Sequence, residues 1–173
     1  MVKKALINTS LKYGLAGGVF LSAPFFILLA IDQKPLINLN TLILEGLLTT
    51  LFIYFGLREY RDRWNAGILK FWEGMTMGFI IYIVGAIIAT GILSTYLYLI
   101  EPDYLSTYKA ELTEWLNDSL TKMDDPEEKE LLQGQIGKVE ETMTLDLIID
   151  TITKKIVLGL IFTPICTVFL RRY

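Results

Sequence analysis

Histidine is absent from the 173-residue sequence, and cysteine occurs only once. Without histidine the chain lacks the commonest metal ligand and the commonest general base of enzymes. The single cysteine, Cys166, lies within an apolar run, so no disulfide can form inside the chain. The metalloprotease motif HExxH, the phosphate-binding motif GxxxxGK[ST] and the nucleophile motif GxSxG are also absent. We therefore expect no catalytic residue, no metal site and no cofactor, and a protein that is not an enzyme.

Charge is distributed unevenly along the chain, although the formal net charge is only −3. Residues 101–150 contain fourteen acidic and four basic residues, which gives that segment a net charge of −10 and leaves +7 for the remainder. This separation favours a protein with two faces on opposite sides of a membrane and disfavours a nucleic-acid binder. A hydrophobic content of 53%, gathered in long runs, also indicates a membrane protein.

Long apolar runs predict four transmembrane helices, since a bilayer core about 30 Å thick requires about 20 apolar helical residues. The predicted spans are residues 13–31, 36–57, 74–100 and 148–170. The first run is too long for the apolar region of a signal peptide, which predicts an uncleaved span. The purely apolar part of the fourth span is short. That span therefore requires Lys154 and Lys155 to extend their side chains outward to the interface.

Basic residues fall on one side of this four-span arrangement. They are Lys3, Lys4, Lys12, Arg58, Arg61, Arg63, Lys70, Arg171 and Arg172. Loops rich in lysine and arginine remain in the cytoplasm, so both termini and the loop 58–73 are expected there. The acidic segment is then expected on the outer side, and residues 1–173 form a single membrane domain.

The acidic segment 103–143 is predicted to form an amphipathic helical hairpin outside the membrane. In its first half the apolar residues recur at intervals of three and four, as in a helix with one apolar face. These residues are Leu105, Tyr108, Leu112, Trp115, Leu116, Leu120 and Met123. Asp125 as N-cap and Pro126 as first helical residue predict the start of the second helix. The expected fold is all-α: a bundle of four transmembrane helices with this extracytoplasmic hairpin between helices three and four.

Small residues repeat at four-residue spacing in three of the spans. They are Ser10, Gly14, Gly18 and Ser22 in the first span, Gly74 and Gly78 in the third, and Gly159, Thr163 and Thr167 in the fourth. Small side chains allow the backbones of neighbouring membrane helices to approach. We expect packing within the bundle. A dimer or partner interface is the alternative, because such spacing alone is weak evidence.

Glu45 is the acidic residue placed farthest inside a predicted span. A carboxylate in hydrocarbon costs a few kcal/mol, so such residues are functional candidates. Asn38, Asn40 and Thr41 precede Glu45 in the outer half of the second span, where interfacial water is within reach. A structural role, solvated or hydrogen-bonded, is therefore favoured over proton or ion handling.

Two oppositely charged pairs at i, i+4, Arg58/Asp62 and Glu59/Arg63, predict that the second span continues as a charged helix to a turn at residues 65–67. This segment is either a solvated helix end or a docking surface for a partner or for anionic lipid headgroups. The docking candidates are Arg58, Tyr60, Arg61, Asp62, Arg63 and Asn65. Asp146, Asp150 and Lys154 show the same spacing, which favours a salt-bridge ladder over a cation site.

Residues 55–78 resemble a known family, the Bacteroidota membrane proteins grouped as domain of unknown function 4199. The residues that carry the likeness are Gly56, Arg58, Tyr60, Arg61, Asp62, Asn65, Gly67, Phe71 and Gly78. The start at residues 12–14 and the acidic insertion after residues 102–104 are similar as well. The resemblance implies four inner-membrane helices and a bacterial source, and it implies no activity, because the family has no assigned function.

Three functions are compatible with these features. The favoured one is a non-enzymatic accessory or assembly subunit of a larger inner-membrane complex, because contact surfaces are abundant and catalytic patterns are absent. Its expected partners are membrane lipids and another inner-membrane protein. The alternatives are a small ion or solute transporter or channel that uses Glu45, and, less favoured, a membrane enzyme acting on lipid-linked substrates through Asp146 and Asp150.

Overall fold

The computed structural model describes residues 3–31, 33–123 and 125–171, and these fold as six α-helices. The helices are α1 Lys4–Ala30, α2 Leu39–Glu59, α3 Phe71–Thr95, α4 Tyr104–Lys122, α5 Pro126–Val139 and α6 Thr144–Leu170. A π-helical turn extends α2 through Tyr60–Trp64 and another extends α3 through Tyr96–Ile100. The all-α class predicted from the sequence is confirmed.

Four helical segments are long and apolar enough to cross a membrane, which confirms the predicted number of spans. They are Lys4–Ala30, Leu39–Trp64, Phe71–Ile100 and Thr144–Leu170. Three of them begin before the predicted boundary, at Lys4, Phe71 and Thr144 instead of residues 13, 74 and 148. Hydropathy marks the stretch that suits the bilayer core, whereas helical hydrogen bonding continues into the polar residues on either side.

The predicted loop 58–73 is largely helical, and only residues 65–70 connect α2 to α3. The helix continues through Trp64 as the π-helical turn, and α3 already begins at Phe71. In the connection, Ala66 has φ 53° and Gly67 has φ 78°. Two successive residues in the left-handed region reverse the chain. Glycine adopts this conformation readily, whereas alanine does so at some cost.

The chain divides into two compact units, one of Met1–Leu93 with Asp150–Tyr173 and one of Ser94–Ile149. In the first unit a buried apolar cluster joins residues from α1, α2, α3 and α6. Its members are Leu6, Ile53, Leu57, Tyr60, Leu69, Met77, Ile81, Tyr82, Cys166 and Leu170. The outward faces of the same helices carry large exposed apolar side chains, including Val19, Leu47 and Phe169. Apolar side chains on both faces are what a bundle surrounded by lipid requires.

Direct contacts bring four helix ends together in the first unit. Lys3, just before α1, donates a hydrogen bond to Asn65 Oδ1 in the α2–α3 connection. Arg61 Nη1 donates to the Leu170 carbonyl at the end of α6, at 3.4 Å. We call this the basic end; its described charged residues are Lys3, Lys4, Lys12, Arg58, Arg61, Arg63, Lys70 and Arg171, with Glu59, Asp62 and Glu73. Arg172, which the sequence also assigned to this side, lies outside the described residues.

In the second unit α4 and α5 contact each other as a helical hairpin. Lys109 Nζ, early in α4, donates a hydrogen bond to the Glu140 carbonyl at the end of α5, at 2.6 Å. The Asp125 carboxylate accepts the Glu127 N–H at 3.0 Å, and Pro126 is the first residue of α5, as the sequence predicted. The pKa of Tyr104 is raised above its usual value by burial and by the negative charge of Glu111.

Candidate functional site

An ion pair lies inside the bundle, between Glu45 of α2 and Lys155 of α6. Lys155 Nζ donates a hydrogen bond to Glu45 Oε1, and the two residues are only 5% and 6% exposed. Taking two charges out of water is costly, and their mutual attraction offsets that cost only when the geometry is close. A pair of this kind in a membrane helix bundle is the first candidate for a functional site.

A small cavity adjoins this ion pair, with a volume of about 20 Å³. It is lined by residues of α1, α2, α3 and α6, among them Ser22, Thr41, Glu45, Thr151 and Lys155. The Ser22 hydroxyl donates to the Val19 carbonyl at 2.7 Å, and the Thr41 hydroxyl donates to the Pro35 carbonyl at 2.5 Å. A cavity of this size has room for about one water molecule. The arrangement can therefore hold a proton or a water, but it offers no space for a larger solute.

The buried position of Lys155 corrects the expectation that both lysines extend outward from α6. Lys154 does point outward, where its Nζ pairs with Asp150 Oδ2 at 2.6 Å. Lys155 lies 100° further round the helix and faces α2 instead. The sequence contains a signal for this, because Lys155 precedes Gly159, Thr163 and Thr167 at the same four-residue spacing. It therefore shares the face of α6 that packs inside the bundle.

A second buried carboxylate, Glu73, lies in the first turn of α3 at the basic end. The Tyr60 hydroxyl donates to Glu73 Oε1 at 3.1 Å, and Asn65 Nδ2 donates to Oε2 at 3.0 Å. The Lys70 backbone N–H donates to Oε2 at 3.2 Å, and Lys3 Nζ lies 3.5 Å from Oε1. These contacts fix the α2–α3 connection against the start of α3.

The sequence reasoning missed Glu73, although a signal for its role was present. A glutamate at the third position of a helix accepts the backbone N–H of the capping residue, as half of a capping box does. Lys70 precedes α3 and Glu73 is its third residue. Glu73 lies directly outside the apolar run that begins at Gly74, so hydropathy alone assigns it no role.

The docking candidates predicted around residues 58–65 divide into two groups in the structure. Tyr60 is buried, Asn65 is engaged by Glu73, and Arg61 contacts Asp62 Oδ1 at 2.6 Å as well as the end of α6. These three hold helices together. Arg58 and Arg63 have side chains that are 55% and 74% exposed. Of the six predicted docking residues, Arg58, Arg63 and Asp62 are therefore the ones that a partner could contact.

The i, i+4 pairs at the end of α2 are present but loose. Arg58 Nε lies 3.7 Å from Asp62 Oδ2, and Arg63 Nη1 lies 3.9 Å from Glu59 Oε1. Glu59 has closer partners in α1, because Lys12 Nζ lies 2.9 Å from its Oε2 and the Tyr13 hydroxyl donates to the same oxygen at 2.7 Å. Glu59 therefore joins α2 to α1, and the arginines stay accessible.

The small residues of α1 lie against α3. A Cβ added at Gly14 would come within 2.8 Å of Val84 Cβ, and one added at Gly18 would come within 2.6 Å of Ile88 Cβ. Distances below 3.0 Å are not found for real Cβ atoms, so neither position has room for a larger side chain. The two helices approach closely here because their contact surface lacks side-chain bulk.

The small residues of α3 and α6 face each other. Gly74 lies against Thr167 and Gly78 against Thr163, while Gly159 lies against the ring of Tyr82. In each case an added Cβ would overlap the opposing side chain. The five glycines selected from the sequence thus all take part in contacts within the bundle.

The acidic residues near the start of α6 have local partners. Asp146 Oδ2 accepts the Met143 N–H at 2.7 Å, and Asp150 pairs with Lys154. Among the described residues, no group of three or more cysteine, aspartate or glutamate side chains is arranged to hold a metal ion.

A family model described as "Protein of unknown function (DUF4199)" matches residues 12–172, which is nearly the whole chain. No curated protein and no solved structure matches the sequence.

Proposed function

The chain belongs to the DUF4199 family of proteins of unknown function, and from this premise we propose that it is a non-enzymatic accessory or assembly subunit of a larger complex in a bacterial inner membrane. In the proposed orientation the basic end faces the cytoplasm, since lysine- and arginine-rich segments remain on that side. The hairpin of α4 and α5 then faces outward.

The observation that carries this proposal is the exposure of large apolar side chains on the acidic hairpin. Trp115 of α4 is 50% exposed and Leu131 of α5 is 70% exposed, although both lie outside the four candidate spans. We infer that these two side chains anchor an interaction surface, since tryptophan is a frequent anchor in protein interfaces.

The charge of the hairpin specifies the kind of partner. Residues 101–150 carry a net charge of −10, so a partner with a basic extracytoplasmic surface would be attracted. In such a complex the apolar anchors supply affinity, and the charges supply orientation and the association rate. The partner is therefore expected to be a membrane protein with a basic outer domain or loop.

The interior of the bundle supports a role based on contacts. Its buried charged residues have close partners: Glu45 pairs with Lys155, and Glu73 accepts hydrogen bonds from Tyr60 and Asn65. The cavity beside Glu45 is too small for a solute. The charged residues buried inside the bundle therefore have structural partners, and the other described charged groups lie on surfaces.

Native purification of the tagged full chain from its membrane tests the proposal. We expect co-elution at constant ratio with one membrane protein whose outer surface is basic, and loss of that protein in the double variant Trp115→Ala/Leu131→Ala or at high salt. Lys122→Ala is the matched control, since Lys122 is exposed on the same hairpin and pairs with Asp118 of the same helix. A monomer that never co-elutes, or co-elution unchanged in the double variant, contradicts the proposal.

A second candidate function, proton or ion transfer through Glu45, is favoured by the burial of Glu45 and Lys155 beside a water-sized cavity. Proteoliposomes loaded with a pH indicator would report it. Proton flux above that of empty vesicles, lowered by Glu45→Gln, supports this function, and flux equal to that of empty vesicles excludes it.

A further inference from the structure

A groove of about 330 Å³ lies between α3 and α6 on the outer surface of the bundle. It is lined by Met75, Thr76, Phe79, Tyr82, Leu160 and Thr163. Phe79 and Leu160 are exposed, so the groove opens away from the bundle toward the surrounding medium. Its volume is at the lower end of the roughly 300–1,000 Å³ typical of ligand pockets. The walls are mostly apolar side chains, which suits a hydrocarbon occupant.

The groove begins next to the basic end. One face of α3 carries four residues at the helical positions i, i+3, i+4 and i+7, which are Trp72, Met75, Thr76 and Phe79. Trp72 is exposed at the start of that face. From Met75 to Tyr82 the groove extends ~10 Å along the helix axis, at 1.5 Å per residue. An occupant could therefore have one end at Trp72 and the other deep along α3.

Positive charge precedes the groove in the sequence. Lys70 is exposed and immediately precedes α3. The nearest acid in sequence, Glu73, is buried and accepts hydrogen bonds from Tyr60 and Asn65, so its carboxylate is turned away from the surface. At the basic end as a whole, eight described cations face three described acids. The entrance of the groove therefore favours an anionic headgroup.

We propose that the α3–α6 groove binds one acyl chain of an anionic phospholipid, whose headgroup contacts Lys70 and Trp72. The apolar walls accommodate the chain, and tryptophan and lysine are the side chains that favour the headgroup region of a bilayer. The Lys70 backbone N–H donates to Glu73 Oε2 at 3.2 Å, which fixes the main chain at the start of α3. A zwitterionic lipid fits the same groove but gains less from Lys70.

Native mass spectrometry of the purified full chain tests this, with phosphatidylglycerol and phosphatidylcholine of identical acyl chains as probes. We expect phosphatidylglycerol to be retained about fivefold more than phosphatidylcholine, since one basic residue contributes about that factor to anionic-lipid binding. Lys70→Gln should make the two lipids equal. Thr76→Phe should reduce retention of both, because the added ring fills the groove.

Two control variants test whether added bulk or a lost cation elsewhere in the protein also changes lipid retention. Val19→Phe adds similar bulk on an exposed face of α1, and Lys122→Gln removes a cation from the hairpin; both should bind lipid as the parent chain does. Equal retention of the two lipids by the parent chain overturns the proposal. Retention of phosphatidylglycerol that Thr76→Phe leaves unchanged also overturns it, since the headgroup would then be held by the basic end without the groove. Lys70 lies outside the packed helices. The comparison of Lys70→Gln with the parent chain therefore does not depend on whether Thr76→Phe folds.

Discussion

Lys155 of α6 donates its hydrogen bond to Glu45 of α2 across 110 residues of sequence, and both side chains are buried within the bundle. The two helices are thereby fixed in rotation relative to each other. A helix that carries a lysine in its apolar stretch would otherwise insert at a cost of a few kcal/mol. The pair consequently accounts for α6 as a stable span despite its short apolar run.

Removing one member of the pair should destabilise the protein more than removing both. Glu45→Leu leaves a buried lysine without its carboxylate, and we expect a loss of roughly 3–5 kcal/mol in the free energy of unfolding. The double variant Glu45→Leu/Lys155→Met should recover most of that loss, because well-packed apolar groups can replace a buried ion pair. Denaturant unfolding in detergent micelles measures both values. Equal losses in the single and double variants would show that the pairing has no energetic role.

Close packing between α3 and α6 should make Gly159 intolerant of any side chain. The Cβ of Gly159→Ala would overlap the ring of Tyr82, and we expect a loss of about 1–3 kcal/mol from overpacking. Gly91→Ala in α3 is the matched control, because an added Cβ there meets no atom within 4 Å. Alanine at position 91 should stabilise by up to about 1 kcal/mol, since glycine is the poorer helix former. Melting temperatures of the two variants that shift in the same direction would contradict this packing.

The Glu73 network should keep the α2–α3 connection closed to proteases. Glu73→Ala removes the acceptor of the Tyr60 hydroxyl and of Asn65 Nδ2, and a buried donor left without a partner costs about 1–3 kcal/mol. We expect faster cleavage within residues 65–70 in limited proteolysis of the detergent-solubilised protein. Asp62→Ala, which removes a more exposed carboxylate nearby, should leave the cleavage rate close to that of the parent. A cleavage rate unaffected by Glu73→Ala would mean that the connection is held by other contacts.

The orientation of the hairpin can be read by cysteine labelling, because the native Cys166 is buried. In intact cells, a membrane-impermeant maleimide should label Lys129→Cys on α5 and should label Lys4→Cys only after permeabilisation. The parent chain, with Cys166 alone, gives the background. Labelling of position 4 in intact cells would place the basic end on the outer side.

The helix count and the class of fold could be predicted from the sequence because the bilayer imposes a minimum length on each apolar run. The first residues of the helices were harder to predict. The helices α1 and α6 begin at Lys4 and Thr144, in stretches that hydropathy treats as polar. The composition predicted the turn at Ala66 and Gly67. It did not predict the burial of Tyr60 or the partial burial of Arg61 beside the turn. Which face of a charged helix end is covered depends on neighbours distant in sequence.

Long-range pairing explains the remaining differences. Glu45 was recognised as costly in a span, but its partner depended on the rotation of α2 against α6, which a single sequence does not specify. Lys155 shares the four-residue spacing of Gly159 and Thr163. This spacing is the feature of the sequence that indicates an inward position for Lys155. The role of Glu73 was not predicted for a different reason. In the sequence, a capping glutamate next to an apolar run resembles an ordinary interfacial residue.

The proposal that this protein is a subunit of a larger complex is tested most directly at Leu131, a side chain of α5 that is 70% exposed. A photoreactive amino acid at position 131, activated in intact cells, should crosslink the chain to one membrane protein with a basic outer surface. The same amino acid at Val19, on an exposed part of α1, should give no protein adduct. Crosslinks at position 131 to lipid or to no molecule at all would contradict the account.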